Sequence, residues 1–169
     1  IIGCVGVQRD VTEARAAELA LRDSEARLRL TLEIGEIGAF DWDLIAGRVS
    51  WDERVRAIWG IGRDESLTAE DFYRGLNPDD RERVRALHAK SHDPAGDGAY
   101  AAEYRVVNRR DGRARYISSR GRVFFEDGRP VRAIGALLDV TPLRDAAAVL
   151  ERDRAELERL VEARTRELA

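Results

Sequence analysis

The sequence predicts an α+β fold: a five-stranded antiparallel sheet with short helices on one face, flanked by a long helix at each end of the chain. Three observations carry this. All three Trp, all Tyr and all Phe lie between residues 33 and 141, whereas 10–32 and 142–169 are rich in Ala, Leu, Glu and Arg. Two Asp-Gly pairs, Asp111-Gly112 and Asp127-Gly128, separate three long apolar-alternating runs, the spacing of a hairpin meander. Two shorter strand-like runs precede them, and helical spacing fills the gap between the two sets.

Taken in order, residues 1–9 form an apolar run expected to be a strand, and 10–31 a helix. Ala39-Phe-Asp-Trp-Asp-Leu44 alternates and is followed, after an Ala46-Gly47 turn, by Arg48-Val-Ser-Trp51, which makes a first hairpin. Val55, Ile58 and Trp59 stand at helical spacing within 52–60, and Gly60 ends that helix. Residues 66–76 read as short helical turns. A longer helix runs from Pro78 to about Ser91, with Asn77 as its cap and Val84, Leu87 and His88 on one side. Strands are expected over 99–109, 113–125 and 130–139, and a last helix over 142–169.

The two long helices are related. Asp10-Val11-Thr12 recurs as Asp139-Val140-Thr141, and at the same offset Val5-Gly6 matches Ile134-Gly135, Leu21 matches Leu150 and Leu28 matches Leu157. A strand, a joint and a helix with leucines in fixed phase are written twice, which predicts a tandem array. Residues 1–9 are then the last strand of a preceding unit, and Thr12 and Thr141 the N-caps of the two helices. In the second helix Leu143, Ala147, Leu150, Leu157, Val161 and Leu168 form one seam of near-3.5-residue spacing, interrupted by Arg154 and Arg164. Ala14, Ala17, Leu21, Ser24, Leu28 and Thr31 form a weaker one in the first. Both read as coiled-coil seams, the alternative being amphipathic helices that pack on their own domain.

Composition narrows the function. The chain has 169 residues, room for one ordinary domain with attachments. Its 29 Lys and Arg against 32 Asp and Glu give a formal charge of −3, without the basic surplus of a nucleic-acid binder. No apolar run approaches the ~20 residues that span a bilayer. One cysteine, Cys4, excludes an internal disulfide and a cysteine zinc site, and fits a reducing, cytoplasmic compartment. The sequence has no Met, so it is expected to be a piece of a longer protein. His88 and His92 stand four apart on one helix, but without the surrounding pattern of a metal site. No nucleophile–base pattern and no phosphate-binding glycine loop is present, so no catalysis is expected of this segment.

The central residues resemble a PAS domain, of the kind common in bacterial sensor kinases. The resemblance covers residues 30–141 and rests on an ordered set. It begins with Gly38-Ala-Phe-Asp-Trp-Asp-Leu44, Trp51, Ile58-Trp-Gly60, Asn77-Pro-Asp-Asp-Arg81 and Glu103-Tyr-Arg105. It continues with Asp111-Gly112, Arg120-Gly121, Asp127-Gly128-Arg-Pro130 and Gly135 through Thr141. Asn77 stands where the family usually has His, and Tyr116 where it usually has Trp. The domains implied are a fragment of a preceding unit over 1–9, a linker helix over 10–31, the PAS domain over 32–141 and a C-terminal signalling coiled coil over 142–169.

The resemblance implies a sensory and dimerisation module without catalysis of its own, which passes a ligand or upstream signal to an output domain. Asp139 and Thr141, with Asp10 and Thr12 in the first copy, match the joint that links such domains to their output helices. Physically, Asp139 ends a strand and Thr141 starts a helix, so a change in the sheet is felt at the helix. An arginine of the neighbouring hairpin is a candidate partner for Asp139. The stretch Leu157-Glu-Arg-Leu-Val-Glu-Ala-Arg-Thr-Arg-Glu-Leu168 resembles the helix that enters a histidine kinase dimerisation domain. The expected partners are therefore a second copy in parallel and a kinase domain in cis, in a parent that is either soluble or membrane-anchored. The alternatives are an unliganded spacer and control of a cyclic-nucleotide cyclase. Family members often hold a small molecule between sheet and helices, and Phe40, Trp42, Trp51, Trp59, His88 and Tyr104 are the pocket candidates. Phe72, Phe124 and Phe125 also stand available to such a pocket, and all these aromatics equally serve as core. No cofactor is the leading expectation, with haem on His88 as the alternative. Flavin–cysteine photochemistry is excluded because Cys4 lies outside the domain.

Overall fold

The computed structural model describes residues 5–167, and the chain divides into two compact units, residues 1–37 and 38–169. The first unit is dominated by one helix, α1 (Val5–Ile34). It is longer than expected at both ends. Residues 5–9, expected as a strand, are helical, and a helix satisfies its N–H and C=O groups within the segment. Asp10 and Thr12 consequently lie inside α1 and not at a strand-to-helix boundary. Residues 1–4, with Cys4, lie outside the described residues, as does Leu168.

The second unit carries a five-stranded sheet in the order β2-β1-β5-β4-β3. Its strands are β1 (Ile37–Asp43), β2 (Arg48–Trp51), β3 (Ala99–Val107), β4 (Ala114–Glu126) and β5 (Arg129–Asp139). β1 pairs antiparallel with β2, and β3, β4 and β5 form an antiparallel meander. β1 runs against β5: the Leu44 N–H bonds the Val131 carbonyl at 3.0 Å, while the opposite end of β1, at Gly38, meets Leu137. The β4–β5 turn is the two-residue loop its Asp-Gly pair predicts. Asp127 and Gly128 have φ of 48° and 73°, both positive, and Glu126 faces Arg129.

Three short helices, α2 (Glu53–Trp59), α3 (Ala69–Gly75) and α4 (Pro78–Ser91), connect β2 to β3. Each begins with a side-chain cap. Asp52 accepts from the Val55 N–H at 2.8 Å and from the Ala39 N–H at 2.6 Å, which ties the start of α2 to β1. Thr68 and Asp71 form a capping box on α3, and Asn77 caps α4 just before Pro78. α2 stops at Gly60, whose φ is 72° and where a Cβ would lie 2.5 Å from Asn108 Oδ1. That asparagine also explains why β3 stops at Val107 and not at 109. Its amide donates to the Ala57 and Ile58 carbonyls at 2.8 and 2.9 Å, so the strand turns away to close the end of α2.

Period-two alternation puts Ala102, Tyr104 and Val106 of β3, Ile117 of β4 and Leu137 of β5 on one face of the sheet, all buried. Val55, Trp59, Phe72 and Val84 from the three helices pack against them, so the helices cover this face. Trp59, Val55, Leu76, Val84, Val106 and Ile117 are completely buried, each contributing about 1.5–3 kcal/mol of apolar transfer. α5 (Thr141–Glu167) follows β5 directly.

Candidate functional site

The residues expected to line a pocket meet in one place. Phe40 and Trp42 of β1, Trp51 of β2, Trp59 of α2, His88 of α4 and Tyr104 of β3 all line a single cavity between sheet and helices. Phe72, Tyr100, Val49, Val55 and Leu137 complete it. Tyr100 was visible in the sequence as the residue four before Tyr104 in an alternating strand. The Phe40 ring lies over Gly135 in the neighbouring strand, where a Cβ would collide with it. Phe124 does not take part: it is 46% exposed, because the buried positions of β4 are the odd-numbered Ile117, Ser119 and Val123. Phe125, half-buried beside Gly98, is also outside the cavity lining.

The rings fill their own cavity. Trp51 and Trp59 have centroids 4.8 Å apart, Trp59 and Phe72 5.8 Å, and Phe72 and Tyr104 5.9 Å. About 20 Å³ remains, the space of roughly one water molecule.

His88 is the polar exception. Its ring is 8% exposed and packs edge-on against Tyr100 at 5.0 Å and near Phe72 at 5.5 Å. Nδ1 is hydrogen-bonded to the Tyr73 hydroxyl at 2.9 Å. Burial, and then the neighbouring His92, push its pKa down to about 4, so it is neutral at pH 7. Burial likewise raises the phenols of Tyr73 and Tyr104, and raises Tyr100 to about 12. The wall of the cavity is therefore uncharged at neutral pH. The free volume beside His88 is far smaller than a macrocycle such as haem. Among the described residues no cluster of three metal-ligating side chains occurs.

A second cluster sits where β5 becomes α5. The Asp139 carboxylate accepts from the Thr141 N–H at 2.9 Å, and the Thr141 hydroxyl accepts from the Tyr116 N–H of β4 at 2.8 Å. Thr141 is thus the first residue of α5, and its hydroxyl is taken by the sheet. Asp139 supplies the capping oxygen that Thr141 was expected to give. The Val140 N–H donates to the Tyr116 carbonyl at 2.8 Å, so one residue of β4 holds both sides of the joint. The hairpin arginine facing Asp139 is Arg115, at 4.0 Å, which also pairs with Asp111 at 2.7 Å. One turn on, Arg144 pairs with Glu103 of β3 at 2.5 Å and lies over the Tyr116 ring at 4.7 Å. No local pattern pairs Glu103 with Arg144, which are 41 residues apart.

Beyond that turn α5 leaves the sheet. Leu143, Leu150, Leu157 and Val161 are 57–70% exposed and Ala147 is exposed, so the described part of the expected seam is one uncovered stripe. Arg154, within the stripe, pairs with Glu158 at 2.9 Å. No described helix is long and apolar enough to cross a membrane.

Comparison with known proteins agrees with this architecture. A family described as the PAS fold matches residues 48–137. A sensory box histidine kinase/response regulator from Burkholderia thailandensis is 31% identical, with a TM-score of 0.61 over 79% of this chain and 98% of that one. The non-motile and phage-resistance protein of Caulobacter vibrioides is 35% identical over 80% of this chain and 16% of its own length. The probable diguanylate cyclase DgcE of Escherichia coli is 24% identical over 88% of this chain and 13% of its own. The chain thus spans less than a fifth of either of these two curated relatives. With a filled aromatic cavity on one side of its sheet, a helix hydrogen-bonded to the end of it, and a family match over more than half its length, the chain belongs to the PAS family.

Proposed function

We propose that this chain is a sensory and dimerisation module of a longer cytoplasmic signalling protein, in which two copies associate in parallel through α5. Each passes a change in its sheet to a histidine kinase domain that follows. The observation that carries this reading is α5 itself. Its first turn is bonded to β4 through Thr141 and to β3 through Arg144, while its single apolar stripe is left uncovered. A helix fixed at one end and apolar along one side conveys the position of its base to whatever it pairs with. Near-complete filling of the cavity favours a signal that arrives through the preceding helix over one carried by a large cofactor. The diguanylate cyclase among the relatives supports a second reading, in which the same helix controls a cyclase output.

The test is association in solution. Light scattering at tens of micromolar should give a dimer, and Leu150→Glu with Leu157→Glu should weaken association by about a hundredfold or more while leaving the sheet domain folded. A wild-type monomer at that concentration overturns the dimeric reading. An absorbance spectrum and native mass of the same sample separate a liganded sensor from an unliganded relay.

A further inference from the structure

Glu103 is held from two directions. Its backbone carbonyl accepts from Arg83 of α4 at 2.6 Å, and its carboxylate pairs with Arg144 of α5 at 2.5 Å. α4 is also the helix that presents His88 to the cavity. Two residues along β3, Arg105 repeats the attachment: its N–H donates to Asp80 of α4 at 2.8 Å and its guanidinium to the same carboxylate at 3.0 Å. Asp80 and its contacts fix the first turns of α4 to β3, while Arg144 fixes the first turn of α5 to the same strand. Tyr116, whose backbone holds the Asp139–Thr141 joint, supplies the ring beneath Arg144, so latch and joint share one residue of β4.

We propose that Glu103 and Arg144 form a latch through which α4, the helix lining the aromatic cavity, sets the position of α5. It gives the signalling reading above, on which it rests, a second route beside the Asp139–Thr141 joint. β3 stands two strands away from β5, and among the described residues this pair is the side-chain tie from α5 to the strand that α4 grips. A shift of α4 by repacking around His88 pulls on β3 through Arg83 and Arg105 and reaches α5 through the Glu103 carboxylate. Both partners are exposed, at 60% for Glu103 and 49% for Arg144, so the pair opens and closes without disturbing the core. Glu103 and Arg144 are positioning residues: neither lines the cavity.

The experiment uses the whole chain and reads the amides of residues 143–150 by nuclear magnetic resonance. Glu103→Gln and, separately, Arg144→Gln should speed hydrogen exchange in the first turns of α5 about two- to fivefold, as expected for loss of an exposed ion pair. The decisive measurement is coupling. His88→Leu, which repacks α4 at similar size, should move the amide resonances of 143–150 in the wild-type background and move them at least twofold less with Glu103→Gln. The exchanged pair Glu103→Arg with Arg144→Glu should restore the response. Equal movement in both backgrounds overturns the latch and leaves transmission to the Asp139–Thr141 joint. No movement in the wild-type background, with the chain folded, overturns the latch and leaves the dimeric relay reading to the association measurement. Trp42→Phe, a second change in the cavity wall, gives the same comparison if His88→Leu fails to fold.

Discussion

The aromatic cavity and the α5 joint lie on one domain and are built from opposite materials. The cavity is made of rings packed 5–6 Å apart with one neutral histidine, and leaves about 20 Å³ unfilled. The joint is a chain of single hydrogen bonds and ion pairs among partly exposed groups, from Asp139 and Thr141 to Tyr116 and from Arg144 to Glu103. Close-packed interiors respond to lost volume by several kcal/mol, whereas an exposed polar contact carries about 1 kcal/mol or less. A relay needs both properties: a core that keeps its shape, and an attachment weak enough for a modest change to shift its population.

The sharpest break in that comparison is Trp59→Ala. The indole is completely buried between Trp51, Phe72 and Tyr104, and its removal leaves a void that the surrounding rings cannot close. A loss of about 3–5 kcal/mol in urea unfolding is expected. A loss below about 1 kcal/mol would mean that the cavity is loosely packed, and the contrast with the joint would collapse.

Next in size is the effect of acid on the cavity. The folded-state pKa of His88, about 4, lies below the ordinary value of about 6.5 expected in the unfolded chain. Between these values the unfolded state binds the proton and the folded state does not. The contribution to stability is therefore complete above about pH 6.5 and is lost as the pH falls toward 4. From pH 7 to pH 5 the loss attributable to His88 is about 2 kcal/mol. His88→Phe should remove that slope, and parallel wild-type and variant profiles would show that the ring is solvated. The depressed carboxylates Asp71 and Asp80, each held low by hydrogen bonds, add their own losses only at lower pH.

Much of the cavity was legible because it depends on local periodicity. Alternation in β1 aims Phe40 and Trp42 the same way, helical spacing places Val55 beside Trp59, and the Asp-Gly turns bring β3, β4 and β5 into one meander. The same alternation excludes Phe124. The joint was legible only in part. Asp-Val-Thr marks a strand end and a helix start, but which group caps the helix depends on the Tyr116 N–H, a long-range partner that takes the Thr141 hydroxyl. Glu103, Arg144 and the Asn108 closure of α2 rest on contacts between residues about 40–50 positions apart, which no local pattern encodes. The first Asp-Val-Thr copy shows the same dependence on context, since in α1 these residues continue a helix.

The smallest effect tests whether the joint is as weak as the comparison requires. The Asp139 carboxylate accepts from the Thr141 N–H, one of the donors at the start of α5 that no intrahelical carbonyl can reach, and Pro142 next to it has no N–H. Asp139→Ala should cost about 1 kcal/mol in global unfolding, as for other capping residues, and should speed amide exchange in 141–147 about fivefold. Asp139→Asn keeps the oxygen acceptor and should recover most of the loss. What Asn fails to recover measures the charge opposite Arg115, which at 4.0 Å and partial exposure is the lesser part. If Asp139→Ala instead costs as much as Trp59→Ala, the joint belongs to the core cooperatively, and α5 cannot move without unfolding the domain. If it costs nothing and leaves exchange unchanged, α5 is not anchored at Asp139, and the Glu103–Arg144 pair with the Thr141 and Val140 bonds to Tyr116 holds the helix.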